Sequence, residues 1–268
     1  MEDLLTSAQR WRVELGVAYA NSDRTNVTSD QFVQIQTGPT QFISLPTVVG
    51  ERRVNRDTLV LTPGLRYGFS GETELYGRLS AVSTALRSES AAGIESQTDE
   101  RVADAWLGVN HRFVQEGETP ALLGFVEVAT AENVATSGTT LVRGKSALLG
   151  FTTYRAIDPV VLSTTAAYRW NGSRRIDEQS RDPGELFLLN PSIGFAVNNE
   201  ITLTTGLSWR WQQADQIDGT VQGIRTTQTS LVFGVGHAWS QRLTLNLNTR
   251  AILTVPAGAF GAASWYNF

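Results

Sequence analysis

Residues 201–212 read ITLTTGLSWRWQ, and apolar and polar side chains alternate along the stretch. The odd-numbered positions carry Ile, Leu, Thr, Leu, Trp and Trp, and the even-numbered positions carry Thr, Thr, Gly, Ser, Arg and Gln. Successive side chains of a β-strand point to opposite faces, whereas a helix repeats every 3.6 residues. The stretch therefore predicts a strand with one apolar face and one polar face.

The same two-residue period recurs along almost the whole chain of 268 residues. Each alternating run lasts about ten residues, the length that a tilted strand needs to cross a bilayer. The pattern predicts an all-β fold, a 12-stranded antiparallel up-and-down transmembrane β-barrel over residues 10–268. A short periplasmic segment, residues 1–9, precedes it and is interpreted as a remnant of a plug or helix. The strands are predicted at residues 10–20, 55–69, 73–83, 101–114, 121–131, 143–155, 160–171, 185–197, 200–212, 225–239, 242–251 and 257–268.

The connections between these strands alternate between short and long. Outer-membrane barrels show this asymmetry, with short periplasmic turns and longer outer loops. It predicts a bacterial outer-membrane location with both termini on the periplasmic side. In the first long loop, residues 32–36 (FVQIQ) alternate as well, so we expect a hairpin that projects beyond the membrane. The short connections are residues 70–72, 115–120, 156–159, 198–199 and 240–241, and the long ones are 21–54, 84–100, 132–142, 172–184, 213–224 and 252–256.

Outward-facing aromatic residues fall near the predicted strand ends. Indole and phenol rings favour the boundary between hydrocarbon and water, so these residues predict two interfacial girdles. The final aromatic residues, Tyr266 and Phe268, are also typical of the C-terminal signal that guides barrel assembly. The periplasmic girdle is predicted to contain Trp11, Phe69, Phe113, Trp239, Tyr266 and Phe268, and the outer girdle Tyr19, Tyr168, Trp170, Trp209 and Trp211.

Composition excludes several other classes of protein. A membrane helix needs about 18 consecutive apolar residues, and the longest apolar run, residues 121–129, is interrupted by Glu127. The formal net charge of -4 argues against general nucleic-acid binding, which needs a basic surface. A soluble β-sandwich also has alternating strands. It is disfavoured because apolar stripes face the same way in strand after strand.

The polar face of the strands predicts the interior of the barrel. Its ionisable residues comprise seven arginines and four acids, an excess of +3. Charges on a low-dielectric wall focus the field of a pore, so we expect a modest preference for anions. The alternative is that Arg and Glu form ion-pair ladders that brace the interior. The predicted pore-lining set is Arg12, Glu14, Arg66, Glu74, Arg78, Asp104, Arg112, Glu127, Arg169, Arg210 and Arg250.

Most strand glycines are also predicted to point inward. An inward glycine permits curvature or leaves space in the lumen. Twelve strands are intermediate between filled eight-stranded barrels and open sixteen-stranded channels, so a narrow pore and a transport function are expected. The predicted space-making glycines are Gly16, Gly64, Gly68, Gly108, Gly150, Gly194, Gly206, Gly234 and Gly236.

No catalytic, metal or cofactor site is predicted. His111 and His237 each precede an aromatic residue by two positions and are predicted to face outward at the periplasmic boundary. The segment from Arg143 to Ser146 (RGKS) ends like a phosphate-binding loop, but Thr139 occupies the place of the first glycine and no helix follows. Arg143 and Lys145 are interpreted instead as cations that reach toward lipopolysaccharide phosphates at the outer rim.

Two segments carry a family resemblance. Residues 10–19 (RWRVELGVAY) and 62–75 (TPGLRYGFSGETEL) resemble the outer-membrane family named after meta-pathway phenol degradation. Within that family, the chain looks most like the barrel domain of the functional-amyloid (Fap) polypeptide exporter of pseudomonads. This resemblance implies a trimer that secretes unfolded amyloid subunits, with a periplasmic coiled coil and a plug helix before the barrel.

Two alternative functions remain open from the sequence. One is a passive uptake channel for small aromatic or acidic solutes, and the other is an autotransporter translocator domain. For the oligomeric state, small outward residues on the third to fifth strands predict a face that packs in a homotrimer. These residues are Gly77, Ala81, Ala103, Ala105 and Gly124.

Overall fold

The computed structural model describes residues 5–24, 33–45, 53–90, 93–135, 138–176, 179–240 and 243–253. These residues form 18 β-strands. In the described ranges, no helix is long and apolar enough to cross a membrane. In chain order the strands are β1 Trp11–Arg24, β2 Val33–Gln36, β3 Phe42–Leu45, β4 Arg53–Gly68, β5 Thr73–Ser90, β6 Gly93–Val114, β7 Ala121–Asn133, β8 Leu141–Arg143, β9 Ser146–Ile157, β10 Val160–Asn171, β11 Arg174–Ile176, β12 Gln179–Asp182, β13 Leu186–Ala196, β14 Ile201–Gln212, β15 Asp215–Ile217, β16 Thr220–Gln222, β17 Thr226–Ser240 and β18 Leu243–Ile252.

The largest sheet, called the wall below, is an antiparallel meander of neighbouring strands. Its order is β1-β4-β5-β6-β7-β9-β10-β13-β14-β17-β18, and β8 pairs with the far end of β7. Eleven of the twelve predicted barrel strands are therefore present. The predicted last strand, residues 257–268 with Tyr266 and Phe268, lies outside the described residues, so closure of the barrel stays a prediction.

The wall has an exposed apolar face, as the alternation predicts. On β1, Trp11, Val13, Leu15 and Val17 are 57–79% exposed, while Ala18 and Ala20 are buried on the other face. Predicted girdle residues at the short-turn end of the wall, Trp11, Phe69, Phe113 and Trp239, are 65–73% exposed. Such a face is unfavourable in water and is typical of strands that contact lipid.

Two further sheets lie in segments that the sequence analysis assigns to loops. Strands β11, β12, β15 and β16 form a four-stranded sheet from the predicted loops 172–184 and 213–224. The predicted loop 84–100 is also wrong, because β5 continues to Ser90 and β6 begins at Gly93. Strand pairing beyond the membrane needs no apolar stripe, so hydropathy does not reveal it.

The hairpin in the first long loop folds inward rather than beyond the membrane. Strands β2 and β3, which we call the inner hairpin, pair from Val33↔Leu45 to Gln36↔Phe42. Ile35, Phe42 and Ile43 are at most 4% exposed. Ile35 and Ile43 pack with side chains of β1, β4 and β5, and Phe42 packs with side chains of β6, β7, β9, β10 and β13. The wall therefore curls around this hairpin, because burial of its apolar side chains removes them from water.

The stripe of small outward residues on β5, β6 and β7 is not an open groove. Pairing between β5 and β6 shifts register at Ser80/Ala81, and Ala103 consequently packs against the buried cluster of Ala18 and Val60. A Cβ at Gly77 would lie 2.9 Å from Leu107 Cδ2, and one at Gly124 would lie 2.5 Å from the Phe113 ring. Larger neighbours cover both glycines, so these two positions do not offer the close backbone approach that was expected of them, and the trimer stays a prediction.

Candidate functional site

The candidate site is the interior of the curled wall, which contains the inner hairpin. All eleven predicted pore-lining residues occupy the inward positions of their strands. Glu74, Arg78, Asp104, Glu127 and Arg169 are buried. Arg12, Glu14, Arg66, Arg112, Arg210 and Arg250 are half-buried. The role of these residues in permeation stays a prediction.

At the short-turn end, Arg66 joins two carboxylates. Its Nε lies 2.8 Å from Glu14 Oε1, and its Nη1 lies 2.8 Å from Glu74 Oε1. Asn110 Nδ2 also donates to Glu74 Oε1 at 2.8 Å. Because Glu74 is fully buried, these donors are needed to keep its charge stable in a low-dielectric site.

The N-terminal segment completes this first cluster from inside. The backbone N–H of Thr6 donates to Glu74 Oε2 at 2.7 Å, and Leu5 packs against Ala121 and Leu123. A Cβ at Gly68 would lie only 2.1 Å from the carbonyl oxygen of Ser7. Residues 5–9, which were predicted to lie before the barrel, therefore lie at the short-turn end of the wall, and glycine at position 68 permits their close approach.

Halfway along the wall, buried charges and rings form a second cluster. Arg78 Nη2 lies 3.0 Å from Glu127 Oε2, and the hydroxyl of Tyr76 donates to Glu127 Oε1 at 2.9 Å. The guanidinium of Arg78 is 5.1 Å from the centre of the Trp106 ring, and that of Arg169 is 4.8 Å from it. Two cations thus contact one buried indole, which the sequence analysis did not identify.

A third cluster, also missed from sequence, lies toward the long-loop end. Glu132 accepts hydrogen bonds from Arg174 and from Ser146 Oγ, the latter at 2.8 Å. Asn171 Nδ2 donates to the carbonyl oxygen of Gly184 at 2.8 Å. Glu132 turns inward because β6 and β7 shift register at Ala105/Trp106. Such a bulge breaks the alternation on which the sequence prediction depends.

Polar contacts hold the inner hairpin to the neighbouring wall strands β10, β13 and β14. Arg169 Nη1 donates to the carbonyl oxygen of Phe42 at 3.0 Å, and Asn190 Nδ2 donates to that of Pro39. The guanidinium of Arg210 lies 5.9 Å from the centre of the Phe42 ring. These contacts therefore attach the hairpin at its turn and at Phe42, the first residue of β3.

The predicted lumen glycines do not all border open space. A Cβ at Gly108 would lie 2.4 Å from the Tyr76 ring, and one at Gly150 would lie 2.3 Å from the Phe125 ring. These two glycines accommodate inward aromatic rings, which corrects the expectation that they make room for a solute. A Cβ at Gly64 or Gly194, by contrast, would meet nothing nearer than 3.6 Å.

The last three strands of the wall, β14, β17 and β18, have a different inward surface. Its inward positions include Thr202, Asn246 and Asn248, which are exposed. Arg250 lies on the same face, and its Nε is buried with no hydrogen-bond partner in the described residues. These strands therefore give the interior an uncharged polar surface with arginine beside it.

The two histidines contact a hydroxyl group and aromatic rings. His111 Nδ1 lies 2.9 Å from Thr73 Oγ1, and each histidine packs against the aromatic residue two positions later. Across the described ranges, no group of His, Asp and Glu side chains is arranged to hold a metal ion. In the outer four-stranded sheet, burial raises the pKa of Asp182, Glu185 adds to the rise and Arg174 opposes it.

Comparison with known proteins identifies similar sequences and folds. A profile of the family described as "Putative MetA-pathway of phenol degradation" matches residues 20–268. The crystal structure of the COG4313 outer membrane channel from Pseudomonas putida F1 is similar over 100% of this chain and 96% of that chain, with a TM-score of 0.64 and 15% identity. The chain thus has the fold of an outer-membrane β-barrel protein.

Two other solved structures are less similar. The CymD monoaromatic hydrocarbon channel matches over 98% of this chain and 86% of its own, with a TM-score of 0.47 and 8% identity. The β domain of the Bordetella autotransporter BrkA matches over 94% and 96%, with a TM-score of 0.43 and 14% identity. No curated protein matches the chain.

Proposed function

Since this chain belongs to the family described as "Putative MetA-pathway of phenol degradation", we propose that it is an outer-membrane channel for passive uptake of small aromatic or acidic solutes. This was the alternative hypothesis from sequence. Both termini would be periplasmic, and the exposed apolar face would contact membrane lipid and lipopolysaccharide.

The position of Phe42 carries the proposal. This side chain is 1% exposed and lies among residues from five wall strands. An extended polypeptide could pass only after the whole inner hairpin had been expelled from between these strands. A small solute needs only a local displacement of the hairpin along the polar surface of β14, β17 and β18. The occupied interior therefore favours a small cargo.

Arginine and aromatic rings in the interior indicate the chemistry of that cargo. Arg66 lies 5.2 Å from the centre of the Tyr76 ring, and Arg78 and Arg169 contact Trp106. A guanidinium attracts both the face of an aromatic ring and a carboxylate. An aromatic acid offers both groups, so it can exchange contacts with these pairs while it moves.

Three buried polar atoms, the nitrogen of this indole and two atoms of an ion pair, have no hydrogen-bond partner among the described residues. They are Trp106 Nε1, Arg78 Nη1 and Asp104 Oδ1, and the last two pair at 3.9 Å. Buried polar atoms in proteins are nearly always hydrogen-bonded, so buried atoms without a hydrogen bond mark places where a polar ligand or water gains binding energy. This position supports a transient site for a hydroxyl or carboxylate.

Amyloid-subunit export was the main hypothesis from the sequence, and the matches described above give it no support. None of them is described as an amyloid exporter.

A liposome assay tests the proposed function. The full chain is reconstituted and uptake is followed for benzoate, benzylamine and an uncharged sugar of similar mass. We expect the anion to enter fastest, because arginine predominates over acid on the inward face. Equal entry of all three would contradict selectivity for aromatic acids. Passage of an unfolded polypeptide without uptake of benzoate would instead favour export.

A further inference from the structure

A cavity of about 760 Å³ lies in the wall, and its lining includes the exposed Val128, Lys145 and Trp170 as well as the buried Ala129 and Ser146. It lies where β7 changes partner, since Val128 pairs with Ala147 of β9 and Ala131 pairs with Arg143 of β8. The two residues between β8 and β9, Gly144 and Lys145, cross this interruption. Cavities of this size are typical of binding sites for small ligands.

The interruption is built into the hydrogen bonding of the wall. Gly144 N donates to the carbonyl oxygen of Thr130 at 3.1 Å, and Gly172 N donates to that of Lys145 at 2.8 Å. Lys145 N donates to Glu132 Oε2 at 2.7 Å, which ties this backbone to the third interior cluster. These hydrogen bonds therefore hold the backbone around the cavity in place.

Its two halves differ in chemistry. Arg143 and Lys145 are exposed at the edge of the cavity that lies toward the long-loop end of the wall. Among the described residues that line the cavity, none is acidic. Lys145 Nζ donates to the carbonyl oxygen of Ser173 at 3.0 Å, which directs the ammonium to the rim. Below them, Val128 and Trp170 are 48% and 51% exposed and belong to the apolar outer face.

From this arrangement we propose that the cavity binds the phosphorylated headgroup of a lipid A molecule in the outer leaflet. The two cations contact a phosphate, and Val128 and Trp170 contact the start of the acyl chains. Free phosphate lacks the apolar part and does not use the lower half. The inference depends on the proposed outer-membrane location, but not on solute uptake through the interior.

Native mass spectrometry of the full chain in detergent tests this site. Bis-phosphorylated lipid A is titrated against wild type and the variant R143Q/K145Q, and we expect about tenfold weaker binding by the variant, since each cation near an anionic membrane surface adds favourable binding energy. The matched control is R155Q, because Arg155 is an exposed cation of β9 near its short-turn end. It should bind as wild type does.

The ligand controls separate the two halves of the site. Wild type and R143Q/K145Q should bind dephosphorylated lipid A with equal affinity. Inorganic phosphate should not compete with lipid A at equimolar concentration. The single variants R143Q and K145Q keep the test decisive if the double variant does not fold. Equal lipid A affinity for wild type and the cation variants would overturn the proposal, as would an equal loss in R155Q. Uptake of benzoate is measured on the same preparations, so failure here is distinguishable from failure of the channel function.

Discussion

The guanidinium of Arg169 on β10 donates a hydrogen bond to the carbonyl oxygen of Phe42 in the inner hairpin, at 3.0 Å and across 127 residues of sequence. Both residues are buried. The contact joins the wall to the segment that fills it. We therefore expect the state of this hairpin to control permeation.

Replacement of Arg169 with Met should weaken hairpin docking. A buried hydrogen bond to a charged group contributes about 1.5–3 kcal/mol, so the frequency of open events should rise about tenfold or more. Planar-bilayer recording measures this frequency. R155Q, which removes an outward arginine, should record as wild type. An unchanged open frequency in R169M would show that the hairpin is held by other contacts.

Replacement of Phe42 with Ala should release the hairpin more strongly. Truncation of a buried Phe costs about 3–5 kcal/mol, and here that loss falls on the docked hairpin rather than on wall pairing. Conductance should increase while the heat-modifiable barrel persists on gels. Phe195→Ala, on the exposed face of β13, provides the control. In the F42A background, R169M should raise the frequency of open events little further, because the hairpin is already released from its docked state. A full further increase would contradict this expectation.

Two inward glycines of β4 should respond differently to alanine. In Gly68→Ala the new Cβ would clash with the Ser7 carbonyl oxygen at 2.1 Å, whereas in Gly64→Ala the nearest atom would be 3.6 Å away. Gly68→Ala should displace the N-terminal segment and break the bond from Gln9 N to the Gly68 carbonyl oxygen, 2.6 Å in the structure. Hydrogen exchange at Thr6 and Gln9 should then accelerate about fivefold or more, given roughly 1 kcal/mol per lost hydrogen bond. Similar exchange in both variants would contradict this account of Gly68.

Charge reversal at Arg250 should reduce the preference for anions. Arg250 lies on the same inward face as the exposed Asn246 and Asn248, so Arg250→Glu acts on the pore field directly. The effect on reversal potential should weaken above physiological salt, where the Debye length falls below about 8 Å. Arg66→Glu should instead reduce stability, because Arg66 pairs with Glu14 and Glu74. An identical reversal potential for R250E and wild type would exclude Arg250 from the path.

Much of the wall was predictable because a two-residue period is a local property. Alternation placed Trp11, Phe113 and Trp239 outward, and it placed Arg78 and Glu127 on the same inward face. The errors arise where local alternation is interrupted or has two explanations. Register shifts turn Glu132 and Ala103 inward. A short alternating segment such as residues 33–36 has the same pattern whether it lies inside the barrel or beyond the membrane.

By itself, the sequence determined an antiparallel wall with one lipid-compatible face, since hydropathy along a strand directly specifies which side chains avoid water. Only the tertiary structure decided what occupies the interior. Phe42 reaches Trp106 and Leu188, Leu5 reaches Leu123, and Arg174 reaches Glu132 through contacts between distant parts of the chain. These partners depend on the space and the charges that lie inside the wall after it has curled. No local period in the sequence specifies that space or those charges.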